Sequence, residues 1–172
     1  MLFITRTSSS YFYLIKKLKI GYLIMFQMFD DEYFMRRALQ EAENAFDANE
    51  IPVGGIIVVD NQIIARAYNL TERLTDVTAH AEMQVITMAS NYLGGKYLKN
   101  CTLYVTLEPC MMCAGALYWS QISRVVYGAS DLQRGFTVMG GKLHPKTEIK
   151  GNVLEQECSQ LLRQFFANKR AK

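Results

Sequence analysis

Apolar and polar positions alternate along this chain in two rhythms. Past Asp30 the apolar residues recur at helical spacing. Met35, Ala38, Leu39, Ala42 and Phe46 fall on one face, which predicts a helix ending ahead of Pro52. Asp30 is the expected N-cap, and Phe29 and Phe34 occupy the two positions of a hydrophobic staple. Gly54–Val59 is a short unbroken apolar run, the pattern of a buried strand; Asp60-Asn61 is a tight turn, and Gln62–Tyr68 is the returning strand. A second helix is expected from near Thr78, its expected cap, with Val85, Ile86, Ala89 and Leu93 turned inward and Gly94-Gly95 stopping it. Residues 102–106 read as a third strand that runs straight into a third helix, and residues 124–127 read as a fourth strand. Residues 128–150 are glycine-rich and read as irregular. A last helix carries Leu154, Cys158, Leu161 and Phe165 on one stripe. The order implies one α/β domain of helix, sheet and helix layers.

Composition sharpens this picture at one place. Half of the 172 residues are hydrophobic and a fifth are charged, an ordinary globular balance with enough chain for one proper core. Residues 1–24 differ, with Arg6, Lys16, Lys17 and Lys19 and no acid. Without them the formal charge of +3 becomes about −1, so a nucleic-acid partner has to be met by a local basic patch. A signal peptide would suit such a start, but the apolar stretch at 20–26 is short and no small-residue cleavage site follows. The expectation is a disordered or artefactual extension over 1–24, with Met25 or Met28 as the natural start and the domain over 25–172. No run is apolar and long enough to span a bilayer, so no membrane partner is expected. Four cysteines, two of them in one motif, do not make a disulfide framework; they fit a reduced, cytoplasmic compartment.

The chemistry is concentrated in Thr78-Ala79-His80-Ala81-Glu82 and Leu107-Glu108-Pro109-Cys110-Met111-Met112-Cys113. His80, Cys110 and Cys113 offer one imidazole and two thiolates to a zinc ion, three protein ligands being the usual number where a position stays open for water. His-x-Glu followed later by Pro-Cys-x-x-Cys is the pattern of zinc deaminases. Hydrolytic deamination needs a proton taken from water, one given to a ring nitrogen and one given to the departing ammonia. One mobile carboxyl group within reach of all three atoms can serve, and Glu82 is the candidate, with Glu108 the only local rival. Cysteines at i and i+3 share one face of a helix, and a helix N-terminus favours their thiolate forms. A structural zinc clip closed by Cys101, Cys158 or His144 is the alternative, and a Cys110–Cys113 disulfide a weaker one. Cys101 and Cys158 otherwise read as small buried hydrophobes.

Longer blocks carry a resemblance. Ile51-Pro52-Val53-Gly54, the His80 motif, the run from Thr102 through Cys113 to Ala116, and Arg124-Val125-Val126-Tyr127-Gly128-Ala129 resemble the bacterial tRNA-specific adenosine deaminases. The likeness extends from about Phe29 to Phe166. It implies a three-layer α/β/α cytidine-deaminase-like fold with a central mixed five-stranded sheet, one zinc ion per subunit and a homodimer. It also implies conversion of adenosine to inosine at the wobble position of a tRNA anticodon, an arginine tRNA being expected, with the anticodon loop as partner. By position His80, Cys110 and Cys113 resemble the zinc ligands and Glu82 the proton shuttle. Asn69 resembles a base-contacting residue, with a plain turn asparagine as the alternative. Asp131 resembles an acidic residue near the bound nucleotide, with a loop cap as the alternative. Of Phe165-Phe166, the first is expected in the core and Phe166 is the candidate for stacking on RNA.

Two rival functions remain open. Tyr118-Trp119 is similar to guanine deaminases, which share the zinc motif, so a metabolic deaminase of free guanine, cytosine or a nucleotide is one; a core role on the third helix is the plainer reading of Trp119. A non-catalytic zinc-stabilised module is the other, and the presence of Glu82 weighs against it.

Overall fold

The computed structural model of the protein describes residues 29–171; the expectations for residues 1–24 and for Met25 and Met28 as starts lie outside them. Helix α1 (Asp31–Asp47) begins as its sequence requires. The Asp30 carboxylate accepts the Tyr33 N–H at 2.8 Å, and the Phe29 and Phe34 rings stack at 6.2 Å across the helix entry. Strands β1 (Gly54–Val59) and β2 (Gln62–Tyr68) form a hairpin closed by Asp60 and Asn61, both at positive φ, as a two-residue primed turn demands. A short helix α2 (Thr71–Leu74) follows, then α3 (Ala81–Leu93), β3 (Thr102–Leu107), α4 (Met111–Ser120), β4 (Arg124–Ala129), β5 (Glu148–Lys150) and α5 (Glu155–Arg170).

The sheet order is β2-β1-β3-β4-β5, with β1 antiparallel to β2 and β3, and β4 parallel to β3 and β5. The five-stranded mixed sheet therefore stands as expected. Alternate side chains feed two cores. Ile57, Leu103, Val105 and Val125 pack with Val85 and Ala89 of α3 and Ala114 and Leu117 of α4. Ile56, Val58, Tyr104 and Val126 pack on the other face with Phe34, Met35 and Ala38 of α1 and Cys158 of α5. Helix α1 approaches β1 so closely that a Cβ on Gly54 would collide with the Ala38 carbonyl oxygen. Among the described residues no helix is long and apolar enough to cross a membrane.

Four local expectations are corrected. Thr78 does not cap α3. Its N–H and hydroxyl both turn back to Asp76 Oδ1, at 2.8 and 2.7 Å, and His80 takes the cap position. Leu93, at the end of α3, is exposed where Gly94 turns the chain into the left-handed region. Trp119 is 77% exposed on the outer side of α4 and is not a core residue. The segment 128–150 is not wholly irregular: it contains β5, all three residues of which are exposed, so no apolar alternation announced it. Helix α2 was not foreseen either, being one turn long with no buried residue.

Asp31 ties the layers together. Its carboxylate accepts from Arg124 at 2.6 and 3.1 Å, from Lys150 Nζ at 2.6 Å and from the Tyr104 hydroxyl at 2.9 Å, joining α1 to three strands. The Arg124 guanidinium, with help from Lys150 and Tyr104, holds the Asp31 carboxyl well below the usual carboxylate range against the opposing effect of burial. A carboxyl depressed on folding contributes stability that is present above its unfolded value, near 4, and is lost as acid protonates the folded form. Asp31→Asn is accordingly expected to cost roughly 1.5–3 kcal/mol at neutral pH, nearer the lower figure because solvent reaches the cluster. Urea denaturation at pH 7, 5 and 3 measures this: the gap between the two proteins narrows towards pH 3, and a gap constant with pH would count against the ion cluster as its source.

Candidate active site

The sheet register brings the site together. Gly54 pairs with Tyr68, Gly55 with Val105, and Leu107 with Ala129. One end of the sheet therefore gathers Val53, Asn69, Glu108 and the residues after Ala129. Helices α3 and α4 also start at this end, and each starts on a residue with ligating chemistry. His80 (φ −70°, ψ 154°) and Cys110 (φ −74°, ψ 174°) are extended N-caps, and neither side chain makes a capping hydrogen bond. That leaves His80 and both cysteines free to face one another. Asn69 supplies the missing cap for α3 from outside, its Oδ1 accepting the Ala81 N–H at 2.9 Å.

His80 Nδ1 lies 3.7 Å from Cys110 Sγ and 3.5 Å from Cys113 Sγ. A zinc–nitrogen bond of 2.0–2.1 Å and a zinc–sulfur bond of 2.3 Å meeting at a tetrahedral angle would put such atoms about 3.6 Å apart. The spacing and the donor set both fit one zinc ion. Cys101 is buried in the core with α3 and α4, Cys158 lies in the core with α1, and His144 Nδ1 accepts the Lys146 N–H; among the described residues none of the three joins the ligand group. All four cysteines are free, so the weaker alternative, a Cys110–Cys113 disulfide, is not formed. The Cys113 thiol, then His80, hold Cys110 down to about 4 against the effect of burial. Cys113 moves the opposite way because it donates to Cys110 and is buried. His80 is raised, chiefly by its contact with Cys110, and to hold a metal both cysteines must be thiolates and His80 must offer a nitrogen without its proton.

Glu82, in the first turn of α3, is 3% exposed. Its Oε2 is the one buried side-chain oxygen or nitrogen among the described residues with no hydrogen-bond partner. Burial pushes its carboxyl up, towards the protonated form, and the positive His80 only partly offsets this. A carboxyl so placed can both take and give a proton. Glu108, which also lines the cavity, is more heavily committed: each of its oxygens already accepts a backbone N–H, of Asp131 and Thr137, each at 3.1 Å.

These residues line a cavity of about 660 Å³, whose walls include Val53, Asn69, His80, Glu82, Asp131 and Phe166. Phe165 is buried against Phe46, as expected, and Phe166 is 42% exposed at the cavity. Asp131 reaches the cavity but also behaves as a loop cap, its Oδ1 accepting the N–H groups of Gln133 and Arg134 at 3.0 Å each. Tyr118 and Trp119 do not line this cavity; Tyr118 packs its ring on His144. One supporting residue was missed by sequence reasoning. Glu50 is buried and accepts from Thr71 Oγ1 and from the N–H groups of Glu72 and Arg73, anchoring α2 on the approach to His80. A carboxylate wedged before Ile51-Pro52-Val53 was its only sequence signal.

Known proteins resemble this chain over most of its length. Residues 28–129 match the family model described as the cytidine and deoxycytidylate deaminase zinc-binding region. A tRNA-specific adenosine deaminase of Agrobacterium fabrum is 42% identical over 149 residues, 83% of this chain and 98% of that protein. The one from Bacillus subtilis is 43% identical over 151 residues, 84% of this chain and 94% of that protein. A structure from studies of A-to-I editing by tRNA:A34 deaminases superposes with a TM-score of 0.69 at 40% identity, covering 76% of this chain and 99% of that one. The guanine deaminase of B. subtilis superposes with a TM-score of 0.57 at 38% identity, covering 64% of this chain and 68% of that one. This chain therefore belongs to the cytidine and deoxycytidylate deaminase zinc-binding family, alongside the bacterial tRNA-specific adenosine deaminases.

Proposed function

We propose that this protein is a zinc-dependent hydrolase that converts adenosine to inosine at the wobble position of a tRNA anticodon, with an arginine tRNA as substrate. The observation that carries the reaction is the buried, unpartnered Glu82 oxygen beside the His80–Cys110–Cys113 group. The choice of tRNA rests on the tRNA-specific adenosine deaminases that match nearly end to end, against a guanine deaminase that matches over about two thirds.

His80, Cys110 and Cys113 would hold the metal. When bound, zinc lowers the pKa of a water molecule to roughly 7 and so supplies a nucleophile at neutral pH. Glu82 would take one proton from the attacking water and pass it to a ring nitrogen of adenine, then take the second from the hydroxyl formed on the ring carbon and deliver it to the amino group leaving as ammonia. Burial suits Glu82 to this, because it disfavours the charged carboxylate and so raises the carboxyl's hold on a proton that it must later give. Asn69 Oδ1 is committed to Ala81, so the Asn69 amide nitrogen is the group left to donate to the base. Asp131 orders the wall next to the ribose and flanking nucleotide. Phe166, at the mouth, offers a ring on which a neighbouring base can stack. An anticodon nucleotide is already outside a duplex, so it can be turned into the cavity at low cost. Assembly as a homodimer in the cytoplasm accords with the resemblance. Exposed apolar side chains on the two helices that open the site, Tyr92 and Trp119 among them, give a second copy something to cover.

Metal and chemistry should separate on mutation. Cys113→Ala or His80→Ala is expected to lose zinc and stability together. Glu82→Gln should keep about one zinc per chain while kcat falls by about 10²–10⁴-fold or more. Metal analysis beside single-turnover rates decides it, and a Glu82→Gln protein with near-normal turnover would move the shuttle elsewhere.

Salt should separate the two substrates. Arg163, Lys169 and Arg170 are exposed on the helix that carries Phe166. Changing these three to glutamine should weaken tRNA binding and flatten its salt dependence, since fewer counterions are released. Deamination of an arginine tRNA with adenosine at the wobble position should exceed that of free guanine and decline with added salt. Rapid, salt-insensitive guanine turnover with the tRNA untouched would overturn the tRNA reading in favour of a metabolic deaminase.

A further inference from the structure

Glu108 is buried at the end of β3, yet it is not among the candidate metal ligands, and each of its oxygens already accepts a backbone N–H. Its two oxygens grip the two ends of one segment. Oε2 accepts from Asp131 N–H and Oε1 from Thr137 N–H. Between these points Gly135 N–H donates to the Asp131 carbonyl at 3.0 Å, and Phe136 N–H donates to the Pro109 carbonyl at 2.9 Å. Gly135 also forms an isolated antiparallel bridge with Cys110. The segment 131–137 is thus seated on Glu108-Pro109-Cys110, and its residues Asp131, Leu132, Gln133 and Arg134 line the cavity. The fit is close. A Cβ on Gly135 would lie 2.5 Å from both Glu108 Cδ and the Asp131 carbonyl oxygen. Both donors to Glu108 are N–H groups, which only an acceptor satisfies. A glutamine would turn its NH₂ against one of them.

We propose that Glu108 is a positioning residue: it fixes segment 131–137 as the substrate-facing wall, in register with the metal-binding Cys110 backbone. The substrate part of this rests on the tRNA deaminase reading; the geometric part does not. Glu108 acts through Asp131 and its neighbours and never touches the reacting atoms.

The test uses the full-length zinc-loaded protein as wild type, Glu108→Gln, Gly135→Ala and the double variant. Amide hydrogen exchange over 131–137 is expected to speed up by about tenfold or more in each single variant, with the cores unchanged. Zinc stays at about one per chain. KM for the tRNA rises by about tenfold, up to a hundredfold, with kcat much less affected. The double variant exceeds either single one by far less than the product of the two effects, because both break the same contact. Should Glu108→Gln fail to fold, Gly135→Ala gives the same readouts from the other side of the contact. Unchanged exchange over 131–137 in both variants overturns the proposal. So does a fall in kcat with KM and exchange unchanged, which would put Glu108 in the chemistry. If wild type leaves tRNA untouched, the substrate reading fails, and exchange with zinc content still decides the positioning role.

Discussion

The sheet's hydrogen-bond register is the constraint on which the site depends. Three pairings, Gly54 with Tyr68, Gly55 with Val105 and Leu107 with Ala129, place the start of one strand and the ends of three others at one edge. Every group with chemistry enters there. Slipping β3 by one residue would turn Leu103 and Val105 towards the wrong helix layer, because side chains alternate with period two. It would also carry Cys110 away from His80. The two apolar cores that enforce β3's register therefore hold the metal ligands in place, even though few core side chains touch them.

The two ends of β4 are treated differently. At its start, Arg124 is paired with Asp31 and Glu148, and Asp31 is also held by Lys150 and Tyr104. Every charge in that cluster has a partner. At the sheet end where β4 finishes, in the cavity that Ser130 and Asp131 also line, the Glu82 Oε2 is left without one. A buried polar atom without a partner costs about 1–3 kcal/mol, more when charged. The protein carries that cost at the site, where a partnered carboxylate could not exchange protons, and has well-satisfied ion pairs at the other end to offset it.

Much of this was legible in the sequence where residue type and spacing had one reading. The Asp30 cap, the Phe29–Phe34 staple, the Asp60-Asn61 hairpin and the ligand motif are local, and each formed as its residues require. Phe165 in the core followed from helical phase, while Phe166 at the cavity was suggested by the family resemblance. What was hidden depended on contacts between distant segments. Thr78 has the chemistry of an N-cap, but Asp76 engaged it first. Strand β5 has no apolar face and exists because β4 offers it hydrogen-bonding partners. Glu50 and Glu108 gave no periodic signal, since their partners are a hydroxyl and backbone N–H groups, in helix α2 and in the segment after β4, 21 to 29 residues away.

Three buried glutamates show how partner count divides labour among identical side chains. Glu50 meets two N–H groups and a hydroxyl, and fixes the approach to His80. Glu108 meets two N–H groups, and fixes the opposite wall. Glu82 faces the cavity with one oxygen unmet, and burial moves it towards protonation. The motif alone leaves Glu82 and Glu108 as rivals, because each lies within two or three residues of a metal-binding side chain. The backbone decides between them. Chain that folds its N–H groups onto a carboxylate makes it a strut, and chain that withholds them leaves a carboxyl able to exchange protons with whatever enters the cavity.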